Sequence, residues 1–97
     1  ADLLHAPVVG FRGGRGIVGE DLPLGLNMAA AWKLWDETDL LIGIGSRMEI
    51  PFMRWSGMMR YTRRINGKML IRIDIDPAEM DRLDTDGPLL ADAAAGV

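Results

Sequence analysis

The carboxylates Asp74 and Asp76 close one strongly apolar run, and Gly45, Ser46 and Arg47 close another. In an open α/β sheet, ligands bind in the crevice beyond the carboxyl ends of the strands, so both groups stand where a site is expected. The two oxygens of a carboxylate suit a vicinal diol, which makes Asp74 and Asp76 candidates for holding ribose hydroxyls. A purely structural reading stands beside this one. In Asp76-Pro77-Ala78-Glu79, Asp76 is placed to cap a helix, Pro77 is pre-set for its first position, and Glu79 stands where a capping-box partner reaches back. Spacing leaves capping and ribose binding both open. A formal G-x-G-x-x-G at Gly14, Gly16 and Gly19 suggests phosphate chemistry, but Glu20-Asp21-Leu22-Pro23 follows where that fingerprint requires a helix. It reads as a loop whose glycines permit positive φ.

Several elements must position these groups. Leu40, Leu41, Ile42 and Ile44 form an almost unbroken apolar run, as expected of a parallel strand covered on both faces. Lys68 to Ile75 is the strongest β run and a second interior strand. Shorter strands are expected at His5 to Phe11, centred on Val8 and Val9, and at Gly87 to Ala91. Asn27 to Glu37 is helical in character, with Asn27 as N-cap and Met28, Trp32 and Trp35 sharing a face, the tryptophans packed against the sheet. A second helix is predicted over Phe52 to Arg64, with Phe52, Trp55 and Met59 inward and arginines outward, although Gly57 weakens it. Asn66-Gly67 marks a turn, and Asp92 opens a last helix. Helix followed by buried strand, repeated, is the β-α-β rhythm of a parallel sheet.

Ninety-seven residues make at most one domain with a modest core. With 48% hydrophobic and 26% charged residues the chain has the composition of an ordinary globular protein, and no apolar run approaches a membrane span. The absence of cysteine fits a reducing cytoplasm and excludes thiolate metal sites. His5, the one histidine, reads as a capping or surface residue. The net charge of −3 hides an asymmetry: Arg54, Arg60, Arg63, Arg64, Lys68 and Arg72 lie in a stretch without acids, whereas seven acids from Asp74 to Asp92 face Arg82 alone. The arginines read as a solvated face or as an interface with an acidic domain elsewhere, ahead of a phosphate site. A nucleic-acid reader would be basic overall, so no nucleic-acid partner is expected.

Four blocks, in order, resemble the central domain of thiamine-diphosphate-dependent enzymes such as acetolactate synthase, benzoylformate decarboxylase and oxalyl-CoA decarboxylase. Pro7-Val8-Val9 with the glycine loop and Glu20-Asp21-Leu22-Pro23-Leu24 is similar to the family's strand, loop and Glu-Asp-His-Pro-Leu turn. Asp39 to Arg47 resembles Ala-Asp-Leu-Val-Leu-x-Ile-Gly-x-Arg, Ile73 to Met80 is nearly the family pattern unchanged, and Pro88 to Asp92 resembles Val-Pro-x-x-x-Gly-Asp. The resemblance implies an α/β fold: a Rossmann-like three-layer parallel sheet, incomplete here because the first β-α unit would lie before Ala1. It also implies a crevice that holds FAD in some members, ADP in others and nothing in several. Carried over by position, Gly45 matches the strand-end glycine, Arg47 the phosphate-binding arginine, and Asp74, Ile75, Asp76 and Glu79 the segment along ribose and adenine. Met28 matches the methionine near flavin, and Asp92 the closing acid. This chain departs from flavin-binding members at Glu49 and Pro51, where they have Asp and Arg, and at Asn27 and Ala91, where glycine is usual.

The resemblance further implies a larger parent enzyme, cytoplasmic and homo-oligomeric, that acts on a 2-keto acid as a lyase or transferase. Its activating glutamate and its Mg²⁺-anchoring Gly-Asp-Gly…Asn motif belong to N- and C-terminal domains, so thiamine diphosphate and Mg²⁺ are not expected to be bound by these residues and the chain itself is expected to catalyse nothing. Asp84-Thr85-Asp86-Gly87 lacks the leading glycine of that motif. The alternative is a stand-alone nucleotide-binding or structural module. Both ends read as cut, with an exposed sheet edge or face and self-association expected of the isolated piece.

Overall fold

The computed structural model describes residues 1–56 and 61–97. Among the described residues strands and short helices alternate, every strand pair is parallel, and the strands fall into two sheets, so the expected α/β class with parallel pairing holds. The chain divides into two compact units, Ala1–Glu37 and Thr38–Val97.

In the first unit, β1 (Val8–Val9) pairs with β2 (Gly25–Leu26). The strand expected over His5 to Phe11 is therefore two residues long, and its partner follows directly on the Glu20 to Leu24 turn, at residues to which the sequence reading assigned no element. Close backbone approach explains the partner. Gly25 is buried, and a Cβ there would overlap the Gly19 carbonyl oxygen and stand 2.7 Å from its carbon. The residues between the strands thus fold back on Gly25, and no helix opens after Gly19. Helix α1 (Met28–Lys33) begins as expected, with Asn27 Oδ1 accepting from the Ala30 N–H at 2.9 Å. It ends earlier than expected, and a 3-10 turn at Trp35–Glu37 completes the unit. Trp35 is buried, but Trp32 is half exposed, so the expectation that both tryptophans pack inward holds for one. His5 is exposed and follows a 3-10 turn at Asp2–Leu4.

The second unit is a sheet ordered β3 (Leu40–Ile44), β4 (Met69–Asp74), β5 (Gly87–Leu90). Its register places Leu41 beside Leu70 and Gly43 beside Arg72. On that face Phe52, Leu70 and Leu83 form the core, with Leu41, Met48 and Ile65 against it. Burying such side chains contributes about 2 kcal/mol apiece. The opposite face corrects the expectation that the Leu40 run is covered on both sides, because Leu40, Ile42 and Ile44 are exposed, as are Met69 and Leu89. Only part of that face is covered: α3 (Ala93–Gly96) lays Gly96 against Ile73, so closely that a Cβ would be forced into the Ile73 side chain.

The second helix expected over Phe52 to Arg64 is replaced by a π-helical turn, Pro51–Trp55, ending at Ser56. Phe52 is buried as expected, while Gly57, Met59 and Arg60 lie outside the described residues. Tyr61 to Ile65 form no regular element, and the turn at Asn66-Gly67 leads into β4, with Gly67 at φ 78°. After β4, helix α2 (Pro77–Met80) is a single turn.

Candidate functional site

Parallel strands put the segments leaving β3 and β4 at one end of the sheet and the segments entering β4 and β5 at the other. This sorts the charges of the second unit into two groups. At the entering end, Arg63 Nε pairs with Asp84 Oδ1 at 3.2 Å, and Arg64 Nη2 with Asp86 Oδ1 at 3.0 Å. Asp86 Oδ2 also accepts from the Leu70 N–H at 2.9 Å, and the Thr85 hydroxyl donates to the Leu70 carbonyl at 2.9 Å. Arg63 and Arg64 thus meet acids of their own unit while their side chains stay more than half exposed, as a solvated face requires. Asp84 and Asp86 are likewise occupied with holding β4 and β5 in place.

At the leaving end lie Gly45, Arg47, Asp74, Ile75, Asp76 and Glu79, with Asp92 just past β5. Met28, at the start of α1, belongs to the first unit. Gly45 ends β3 at φ 53°, a left-handed conformation that glycine adopts without steric cost, and its N–H donates to the Ile73 carbonyl at 2.8 Å. Met48 also stands at positive φ, 54°, and lays its sulfur on Gly43. Its N–H donates to the Ser46 hydroxyl at 3.2 Å.

The acids divide their work in a way that spacing did not reveal. Asp76 caps α2, its Oδ1 accepting from the Ala78 N–H at 2.9 Å. The N–H of Asp76 itself donates to Asp74 Oδ1 at 3.0 Å. Asp74 therefore does what a capping-box glutamate would do, which corrects the expectation for Glu79. Glu79 turns instead to two arginines: Oε1 lies 3.2 Å from Arg47 Nε, and Oε2 lies 2.8 Å from Arg82 Nη1. Arg47 Nη1 stands 3.5 Å from Glu49 Oε1, and the Arg82 guanidinium lies 5.3 Å from the centroid of the Tyr61 ring. Asp92 caps α3 through the Ala94 N–H at 2.9 Å, and Ile75 is exposed.

Beneath this surface network is Arg72, which composition had placed only in a basic stretch. It is fully buried at the centre of β4. Its Nη1 donates to the Glu79 carbonyl, its Nη2 donates to the Ser46 carbonyl at 2.8 Å, and Asp74 Oδ2 lies 3.5 Å from Nη2. Its Nε has no hydrogen-bond partner among the described residues. The signal was a charged residue in the apolar run Leu70-Ile71-Arg72-Ile73, because a guanidinium on an interior strand must find partners. Glu79 is thus gripped twice, by Arg72 at its carbonyl and by Arg47 and Arg82 at its carboxylate.

This geometry depends on pH. Partial burial pushes the Glu79 carboxyl up, but the hydrogen bond and charge of Arg82 and the charge of Arg47 outweigh it and hold the carboxyl below its ordinary value. The Asp86 carboxyl is also lowered, first by the Leu70 N–H and then by Arg64. A carboxyl depressed in the folded state stabilises above its unfolded value and loses that contribution as pH falls through the folded one. The urea midpoint should therefore fall on acidification from neutrality to about pH 3. Glu79→Gln and Asp86→Asn should each flatten that fall, and a slope unaltered in both would refute the assignment.

Arg47 fits a pyrophosphate poorly. Each guanidinium edge that could take a phosphate already has one nitrogen beside a carboxylate, Nε beside Glu79 and Nη1 beside Glu49, and a phosphate would approach against those two carboxylates. Among the described residues no group of three or more His, Cys, Asp or Glu is placed to hold a metal ion. No helix among them is long and apolar enough to cross a membrane.

The parallel strands with helix-capping acids at their carboxyl ends agree with one family. The model of the thiamine pyrophosphate enzyme central domain matches residues 1–97, and the chain belongs to that family. A relative 35% identical over 99 residues is the "Probable acetolactate synthase large subunit" of Methanococcus aeolicus. The match covers 95% of this chain and 16% of that relative, so the chain spans about a sixth of the relative's length. No solved structure matches the chain.

Proposed function

We propose that these residues serve as the central domain of a larger thiamine-diphosphate-dependent enzyme that makes or breaks the bond next to the carbonyl of a 2-keto acid, in the manner of an acetolactate synthase. The observation that carries this reading is the family match along the whole chain, joined to a relative named as an acetolactate synthase subunit. Thiamine diphosphate, held with Mg²⁺ by other domains, would supply an electron sink for the charge left on the former carbonyl carbon when the bond to its neighbour breaks. The present residues supply scaffold. Arg72, Asp74, Asp76 and Glu79 are all occupied in fixing the strand-end loops. The whole polypeptide is read as a cytoplasmic homo-oligomer. The residues of the crevice do not favour FAD or ADP, because the carried-over phosphate arginine is already paired.

The test is to purify the full polypeptide that contains this domain and follow carbon dioxide release from pyruvate and from larger 2-keto acids. The expected result is turnover that requires both thiamine diphosphate and Mg²⁺. A folded polypeptide that turns over none of them would sink the reading.

A further inference from the structure

We infer that Arg47, at the position carried over as the family's phosphate ligand, is in this chain an internal counter-ion that fastens the loop after β3 to α2, and that it binds no nucleotide phosphate. The ion-paired network at the leaving end of the sheet is balanced in itself, and Asp76 and Asp92 at the same end add further negative charge. Arg47, Arg72 and Arg82 stand against Glu49, Asp74 and Glu79, three charges of each sign joined by the described ion pairs. A diphosphate added there would bring uncompensated negative charge.

The placement of the donors points the same way. A guanidinium recognises a phosphate best through two parallel N–H bonds from one edge of its fork. In Arg47, Nε lies 3.2 Å from Glu79 Oε1 and Nη1 lies 3.5 Å from Glu49 Oε1, so each of its two edges has one nitrogen beside a carboxylate. The Arg47 side chain is 61% exposed, so each pair is individually weak. Competition decides the matter more than strength does, because the two carboxylates that hold Arg47 would also face, and repel, a phosphate reaching for it.

The fastening extends beyond Arg47. Glu79 Oε2 accepts from Arg82, whose guanidinium lies over Tyr61, so the carboxylate links the segment after β3, the helix after β4 and the segment before β4. Arg72 secures the same helix and the same loop from below, through the Glu79 and Ser46 carbonyls. Arg47 is accordingly a positioning residue acting on Glu79.

The inference takes its probes from the family reading but can fail independently of it, because it is read from nucleotide binding and acid stability rather than from turnover. The chain and its Arg47→Ala and Arg47→Lys variants are titrated with ADP and with FAD by calorimetry, and each is unfolded by acid. The expected result is that neither substitution changes the ADP or FAD isotherm by more than about twofold. Arg47→Ala should also move the acid unfolding midpoint to higher pH, because Glu79 loses a cation while keeping Arg82, and Arg47→Lys should restore most of that shift. A loss of about tenfold or more in ADP or FAD affinity in either variant would overturn the inference. So would an acid midpoint that does not move in Arg47→Ala, since Glu79 would then not depend on it.

Discussion

Arg72→Ala should lower the folding stability of the chain by about 3–5 kcal/mol, as removal of one partner from a buried ion pair does. The substitution strips donors from the Ser46 and Glu79 carbonyls and leaves Asp74 without its buried cation. It also opens a void on the face of the sheet where Arg72 stands beside Gly43 of the neighbouring strand. Domains of this size are stable by only about 5–15 kcal/mol in total, so the variant should be largely unfolded at modest urea concentrations. Arg72→Leu combined with Asp74→Asn should cost less than Arg72→Ala alone, because the double change removes both charges and refills the volume. Urea midpoints for the three proteins decide it. Equal losses in the single and the double variant would mean that the cost lies in the lost hydrogen bonds to the Ser46 and Glu79 carbonyls, which both variants lack, and not in the unpaired charge or the void.

Gly25→Ala should have the second largest effect and should act on the other unit. The added methyl would meet backbone, the carbonyl of Gly19 and, at 3.2 Å, the Glu20 Cα. Backbone cannot move aside as the end of a flexible side chain can, so the cost should reach about 3 kcal/mol, the upper range for overpacking. The Gly19 carbonyl also accepts from the Leu22 N–H at 3.0 Å, and the Gly25 N–H donates to Leu22 at 3.0 Å, so any shift disturbs the whole turn. Gly13→Ala is the control, because a Cβ there meets nothing within 4 Å. Hydrogen exchange read by mass spectrometry should show Gly25→Ala losing protection in residues 1–37 and Arg72→Ala losing it in residues 38–97. Loss spread evenly over both stretches in either variant would contradict two separately packed units.

How far the sequence foretold these features depended on the distance over which each was decided. The caps at Asn27, Asp76 and Asp92 were legible because a carboxylate or amide reaches an N–H two or three residues ahead, and no other part of the chain need be known. The runs that became β3 and β4 were legible for a related reason: near-continuous apolar runs with isoleucine at alternate positions favour a strand. Predicted cover on both faces of β3 failed because cover depends on which elements pack above a strand, and the strand's own residues carry no record of that. Of the helix predicted from Phe52, the described residues show the π-helical turn Pro51–Trp55, with Phe52 packed against Leu70 and Leu83.

The candidate site was legible in place but not in wiring. Gly45, Arg47, Asp74, Asp76 and Glu79 could be put at one end of the sheet from motif order, since parallel strands deliver their carboxyl ends to the same side. Family membership was legible too, because it rests on the order and spacing of blocks such as Asp39 to Arg47 and Ile73 to Met80. The tertiary structure alone decided which carboxylate serves which donor. Asp74 and Glu79 are chemically alike and five residues apart, yet one closes the turn over Arg72 and the other joins Arg47 to Arg82. The physical reason is that local bonds are fixed by short spans of backbone, whereas the pair of Arg47 with Glu79, 32 positions apart, and the bonds of Arg72 to the Ser46 and Glu79 carbonyls, 26 and 7 positions apart, exist only once the strands have set their segments side by side.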